Sequence, residues 1–229
     1  MLIILFLSIL LSCSKSINMT GSYSQKEEEN SISIAFITKM QTGEHWGAIK
    51  SGARNAATEN GISIEFFAPL SETHVDEQIT LIKNAINKKF DVIIIASIDS
   101  ISLNHVLNEA IQSGIHVITI DSGVNIEGPI VHIGSDNYEL GGRALREGLN
   151  LVGLDEPLKP IIIGSVEQSA NMSQRIKGIK RELDQQGLRP TILYSEAEEN
   201  KARSLLREAL SEDPTINLII ALEENSAQG

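Results

Sequence analysis

The sequence predicts an α/β chain: two similar Rossmann-like parallel-sheet subdomains with a hinge and a cleft between them, the second incomplete. Three observations predict it. First, Gly61-Ile62-Ser63-Ile64, Gly114-Ile115-His116-Val117 and Gly187-Leu188-Arg189-Pro190 each place a glycine at the end of an amphipathic stretch and a short apolar or alternating run after it. A glycine just past a helix takes the left-handed conformation that closes it, and the run that follows reads as a strand. Second, helix–Gly–strand units in series build a parallel sheet flanked by helices. Third, the rhythm restarts after Gly134, which sets a boundary there between two like units.

The elements follow in order. Ile32 to Ile37 is an apolar strand, and Trp46, Ile49, Ala53 and Ala56 recur at helical spacing up to Gly61. Ile62 to Phe67 is the second strand, and Val75, Ile79, Ile82 and Ile86 mark the second helix. The run Asp91-Val92-Ile93-Ile94-Ile95-Ala96 is β-branched throughout, as suits a central strand covered on both faces. Leu103, Val106, Ala110 and Ile111 form a third helix, and Val117 to Ile120 a fourth strand. Pro129 to Gly134 is a short fifth strand, followed by a helix from about Tyr138 to Val152. In the second unit Ile161 to Ile163, Ile192 to Tyr194 and Asn217 to Leu222 are strands. The helices between them carry Met172, Ile176, Ile179 and Leu183, then Ala202, Leu205 and Ala209. The last strand leaves an apolar edge, Leu218-Ile219-Ile220-Ala221, of the kind that aggregates when uncovered, so a C-terminally truncated second unit is expected.

The chain has 229 residues, 41% of them hydrophobic, enough for one large or two small cores. Its formal net charge is -11 and no Lys/Arg cluster stands out, which argues against nucleic acid as a partner. Leu2 to Leu11 is an apolar run too short to span a bilayer as a mature helix and right for the core of a signal peptide. It ends at Cys13, the single cysteine, and Leu10-Leu11-Ser12-Cys13 resembles a bacterial lipobox. Residues 1–13 are therefore expected to be a lipoprotein signal peptide with Cys13 lipidated. Residues 14–31, polar and carrying Glu27-Glu28-Glu29, read as a flexible tether. The rest divides into an N-terminal α/β subdomain, 32–134, and a C-terminal one, 135–229.

Ligands of parallel sheets bind beyond the carboxyl ends of the strands. After strand one comes Lys39-Met40-Gln41-Thr42-Gly43-Glu44-His45-Trp46, after strand three Asp99, and after strand four Asp121. The second unit adds Glu167, Arg175, Ser195-Glu196 and Glu223-Glu224. Acids, an arginine, a histidine and a tryptophan suit a small polar molecule: charged groups grip hydroxyls, and an aromatic face covers an apolar ring face. The candidate site residues are Glu44, His45, Trp46, Asp99, Asp121, Arg175 and Glu223. Each has a plainer alternative. Trp46 would pack on the sheet, Asp99 would cap the helix near Ile101, and Arg175 would be solvated. Asp136 and Asn137 are expected to cap the next helix. No second His or Cys lies at metal-ligand spacing from His45, no Gly-rich phosphate loop follows strand one, and Ser135 and Ser165 lack a matched base. Neither metal, cofactor nor catalysis is expected.

With these residues in view, residues 32–229 resemble a periplasmic sugar-binding protein of the ribose-binding type, the solute receptor of an ABC importer. The resemblance rests on Thr42-Gly43-Glu44-His45-Trp46, Ile120-Asp121-Ser122-Gly123, Ser135-Asp136-Asn137-Tyr138 with Gly141-Gly142, Arg175-x-x-Gly178, and Glu223-Glu224-Asn225-Ser226-Ala227-x-Gly229. It implies that His45 and Trp46 sandwich a sugar and that Asp121 and Arg175 hydrogen-bond its hydroxyls. Three positions depart from the ribose type: Glu223 stands for an asparagine, Ser122 for an arginine and His45 for a phenylalanine. The resemblance therefore does not name the sugar. It implies a lipid-anchored receptor on the outer face of a membrane, delivering its solute to an ABC permease. The alternative is a sensory receptor that signals its closed state to a membrane kinase or chemoreceptor. A cytoplasmic transcription regulator is disfavoured by the apolar leader, and an enzyme by the missing catalytic constellation.

Overall fold

The computed structural model describes residues 32–128, 130–152 and 157–229. The expected signal peptide, Cys13 and the tether lie outside the described residues, as does Pro129 of the fifth strand. The chain order is β1 (Ser33–Ile37), α1 (Glu44–Glu59), β2 (Ser63–Phe67), α2 (Val75–Asn87), β3 (Val92–Ile95), α3 (Asn104–Gln112), β4 (His116–Ile120) and β5 (Val131–Ile133). It continues with α4 (Asn137–Val152), β6 (Pro160–Gly164), α5 (Ala170–Asp184), β7 (Thr191–Tyr194), α6 (Glu199–Glu212), β8 (Leu218–Ala221) and α7 (Glu224–Gln228). The strands form two parallel sheets, ordered β2-β1-β3-β4-β5 and β7-β6-β8. Both sheets belong to one compact unit.

The junction glycines behave as their spacing predicts: Gly61, Gly114 and Gly187 have φ of 64°, 84° and 70°. Each is open to solvent, so conformation rather than space is what calls for glycine there. The β-branched third strand lies between β1 and β4, with Ile93 and Ile95 fully buried. They meet Ile37, Ile82, Leu103 and Leu107 in the first core. The second core gathers Leu145, Ile162, Ile179 and Leu183. The edge strand β8 alternates: Leu218 and Ile220 face that core, while Ile219 is exposed.

One element is absent from the sequence reading. The chain does not stop after β8 but turns into α7, whose five residues are too few to show a helical period. Glu223 caps it, its carboxylate accepting from the backbone N–H of Asn225 (2.8 Å) and Ser226 (2.6 Å).

The two middle helices cross at unusually short range. A Cβ on Gly141 of α4 would stand 1.9 Å from the backbone oxygen of Arg175 in α5, and one on Gly178 would stand 2.0 Å from the oxygen of Tyr138. Both positions tolerate only a hydrogen, and the contact fixes the backbone that carries Arg175. Either Gly141→Ala or Gly178→Ala should cost about 1–3 kcal/mol through overpacking, lowering the melting temperature by roughly 2–4 °C per kcal/mol. Gly52→Ala, at an open position of α1, should instead leave stability unchanged or raise it by up to about 1 kcal/mol. Thermal melts of the three variants check this; equal effects at all three sites would contradict the close crossing.

Candidate functional site

A cavity of about 230 Å³ opens where the carboxyl ends of the two sheets face each other. Strand β1 delivers Lys39, β4 delivers Asp121, and the start of α1 delivers His45 and Trp46. From the other sheet come Ser165 after β6, Asn171, Met172 and Arg175 on α5, and Glu223 and Glu224 after β8.

The strand ends are held by buried side chains. Gln78, fully buried on α2, donates to the oxygens of Ala96 (2.9 Å) and Thr38 (3.3 Å) and accepts from the N–H of Ile98 (2.9 Å). It therefore ties the end of β1 to the end of β3. Ser97 donates to the oxygen of Gly123 at 2.6 Å and so fixes the turn that follows β4. That turn holds Asp121 at φ 56°, a left-handed conformation uncommon outside glycine, asparagine and aspartate.

Lys39 and Asp121 form the charged centre. Their side chains are 3% and 16% exposed and the ammonium lies 2.9 Å from the carboxylate. The pair is also where the two sheets meet. Lys39 donates to Ser169 and Asn171, each at 3.4 Å, and the Asn171 amide donates to Asp121 at 3.1 Å. His45 Nε2 stands 3.7 Å from the Asp121 carboxylate, and Ser122 donates to it at 3.0 Å. Burial pushes the Asp121 carboxyl up, but His45, Lys39 and Ser122 outweigh it and hold it well below the usual carboxylate range.

Arg175 reaches the cavity from α5. Its Nε donates to Asn137 at 2.8 Å, and a second nitrogen donates to the backbone oxygen of Leu222. Burial lowers its pKa, opposed by the fields of Asp121, Glu223 and Glu72, and the guanidinium remains charged. Trp46 is 5% exposed and lines the cavity, with the His45 ring edge-on to it at 4.8 Å between centroids. His45 itself is half exposed.

Five of the seven residues singled out from the sequence line this cavity: His45, Trp46, Asp121, Arg175 and Glu223. Glu44 does not; it opens α1 with its side chain in solvent. Asp99 does not either. Its carboxylate accepts from the N–H groups of Ile101 and Ser102, each at 2.7 Å, the plainer alternative, and it borders a separate cavity of about 290 Å³. Of the two expected caps, Asp136 accepts from the N–H of Glu139 at 3.0 Å. Asn137 is buried and spends its oxygen on Arg175. The sequence reading placed Lys39 in the stretch after strand one without singling it out, and missed Glu72 and Asn171 as cavity residues. Lys39 and Glu72 each follow a strand of the first sheet, so the rule that found Asp121 reaches them too. Among the described residues no group of three His, Cys, Asp or Glu could hold a metal ion, and no helix is long and apolar enough to cross a membrane.

Residues 34–229 match the periplasmic binding protein domain family. The chain belongs to that family. It is a family of binding proteins, not of enzymes. A D-ribose/D-allose-binding protein of Pseudomonas aeruginosa is 26% identical over 96% of this chain and 71% of its own. The crystal structure of a sugar transporter from Clostridium phytofermentans superimposes with a TM-score of 0.81 at 30% identity, covering 86% of this chain and 73% of that one. A carbohydrate transporter solute-binding protein from Agrobacterium radiobacter, in complex with D-arabinose, shares the fold at TM-score 0.79 and 22% identity, over 88% and 70% of the two chains.

Because its folded-state pKa is depressed, Asp121 contributes stability that is complete above the unfolded value near 4 and is lost as pH falls toward the folded value. Below about pH 4 the parent should lose stability with acid more steeply than Asp121→Asn. Denaturant melts between neutral and acid pH check this; parallel curves would show that Asp121 contributes nothing to the acid sensitivity.

Proposed function

We propose that the chain is an extracytoplasmic receptor that captures a sugar or sugar-like small molecule and delivers it to an ABC permease. The observation that carries this reading is the cavity itself. It is walled from both sheets, pairs a buried tryptophan with charged groups able to grip hydroxyls, and holds no catalytic constellation among the described residues. At about 230 Å³ it is smaller than the roughly 300–1,000 Å³ usual for drug-sized ligands and suits a monosaccharide. The sugars named for the similar proteins from Pseudomonas and Agrobacterium support the same class.

We place the division between the two lobes at residue 134. Strand β5 is paired in the first sheet, while α4 packs on α5 over the second. Solute held between the sheet ends would favour a closed arrangement over an open one, and the closed form would present the surface that the permease reads. In this account Cys13 carries a lipid that anchors the receptor, and residues 14–31 form the tether. The unique cysteine at the end of the apolar leader run motivates that reading.

Two experiments test it. Trp46 is the single tryptophan, so its fluorescence reports the cavity. D-ribose, D-allose or D-arabinose should shift it saturably, and Asp121→Ala or Arg175→Ala should weaken binding on the order of 30-fold or more, the cost of stranding a buried charged partner. Trp46→Ala, read by calorimetry, should weaken binding with little dependence on salt. Silence of the parent toward all three sugars, or unchanged affinity in folded variants, would contradict the proposed site. For the anchor, the full chain expressed in a bacterium should partition into detergent and Cys13→Ala should not; a soluble wild-type protein that retains Met1 would sink the anchor.

A further inference from the structure

Glu72 is the one cavity carboxylate with nothing to hold it. Asp121 is engaged by Lys39, Ser122 and Asn171. Glu223 caps α7, and Glu224 accepts from the N–H of His45 at 3.3 Å. Glu72 is 9% exposed, yet among the described residues its carboxylate receives no hydrogen bond and makes no ion pair. It influences Arg175 only through its field. It lines the cavity that holds Asp121 and Arg175 and also the neighbouring one, and so stands in the wall between them.

The loop that carries Glu72 is ordered by bonds that leave this carboxylate out. The N–H of Leu70 donates to Glu77 at 2.9 Å, Ser71 Oγ lies 2.6 Å from His74 Nδ1, and the N–H of His74 donates to the oxygen of Ser71 at 3.2 Å. The side chain is thus placed at the cavity wall without a protein donor of its own. Its oxygens stay within reach of water in the free protein, and a solute hydroxyl can take that water's place as the donor.

We propose that Glu72 is a further solute-contacting residue that sets the charge class the cavity accepts. It takes a hydrogen bond from a solute hydroxyl, and its negative charge turns away acidic sugars. The cavity supports this second role: Glu72, Asp121, Glu223 and Glu224 outnumber its two permanent cations, Lys39 and Arg175. A neutral polyol offers only donors and acceptors there. A carboxylated or phosphorylated sugar would bring like charge against an unpaired carboxylate. The inference deepens the sugar-binding reading and rests on it.

Calorimetry on the full chain with D-ribose and D-allose as neutral probes, and D-glucuronate and D-ribose 5-phosphate as acidic ones, tests it on the parent, Glu72→Gln and Glu72→Ala. The parent should bind a neutral probe and not the acidic ones. Glu72→Ala should lose on the order of tenfold to a hundredfold in affinity for the neutral probe. Glu72→Gln, which keeps the shape and one acceptor, should lose less and should narrow the gap between neutral and acidic probes. Thermal melts without sugar provide a readout that a purely structural role would move the other way: Glu72→Gln should melt at the same temperature as the parent or higher. Variants that bind neutral sugars as tightly as the parent overturn the inference while leaving the sugar reading intact. A parent that binds none of the neutral probes sinks both. A Glu72→Gln protein that melts lower, with unchanged selectivity, shows that the carboxylate supports the fold and overturns the role in selection.

Discussion

An ammonium group buried at the end of β1 is tolerable only because a carboxylate lies 2.9 Å away. Taking Lys39 out of water carries a large desolvation penalty, and Asp121 offsets it with charge and geometry. The rest of the site depends on this pair. Asp121 meets Lys39 from a left-handed backbone at the end of β4, and Ser97 and Gln78 hold the strand ends that carry the pair. Once formed, the pair offers acceptors and donors to the second sheet, where Asn171 and Ser169 answer it. The same ions that stabilise the first sheet's rim therefore also bond to the second sheet.

The second sheet solves a different problem, that of holding a long flexible arginine at a fixed depth. It does so by backbone proximity. The hydrogens of Gly141 and Gly178 let α4 and α5 approach until Asn137 can bond Arg175 Nε, while Leu222 takes a second nitrogen through its backbone oxygen. A guanidinium held by two neutral acceptors keeps its positive charge unspent for a solute. Glu223 is the reverse case: much of its capacity goes to the N-terminus of α7, so it shapes the wall as much as it offers an acceptor.

The architecture was legible in the sequence because period and punctuation agree. Gly61, Gly114 and Gly187 close helices, and the β-branched run takes a central place in the first sheet, with Ile93 and Ile95 fully buried on one face and Val92 and Ile94 partly buried on the other. Asp121 was legible by position because it follows a strand end, and Trp46 and Arg175 because they lie in the first two turns of the helix entered after one. Asp99 follows the same rule and lies elsewhere, because two backbone N–H groups at 2.7 Å claim its carboxylate first. Lys39 was not legible as a buried centre: a lone lysine in a polar loop looks solvated until its partner, far along the chain, is brought beside it. Glu72 was hidden in the same way, by lying among the polar residues of a turn. The helix α7 gave no periodic signal at five residues, although Glu223 ahead of Asn225 and Ser226 has the pattern of a cap.

Whether the buried Lys39–Asp121 pair organises the site is decided by a double-mutant cycle on the ligand-free protein. Unfolding free energies are measured for the parent, Lys39→Met, Asp121→Asn and the double variant. Each single change should strand a buried charge or its partner, so that the double variant is more stable than the sum of the two losses implies, with a coupling on the order of 1–3 kcal/mol. Losses that add to within about 0.5 kcal/mol would contradict it, and would mean that the two side chains merely lie side by side.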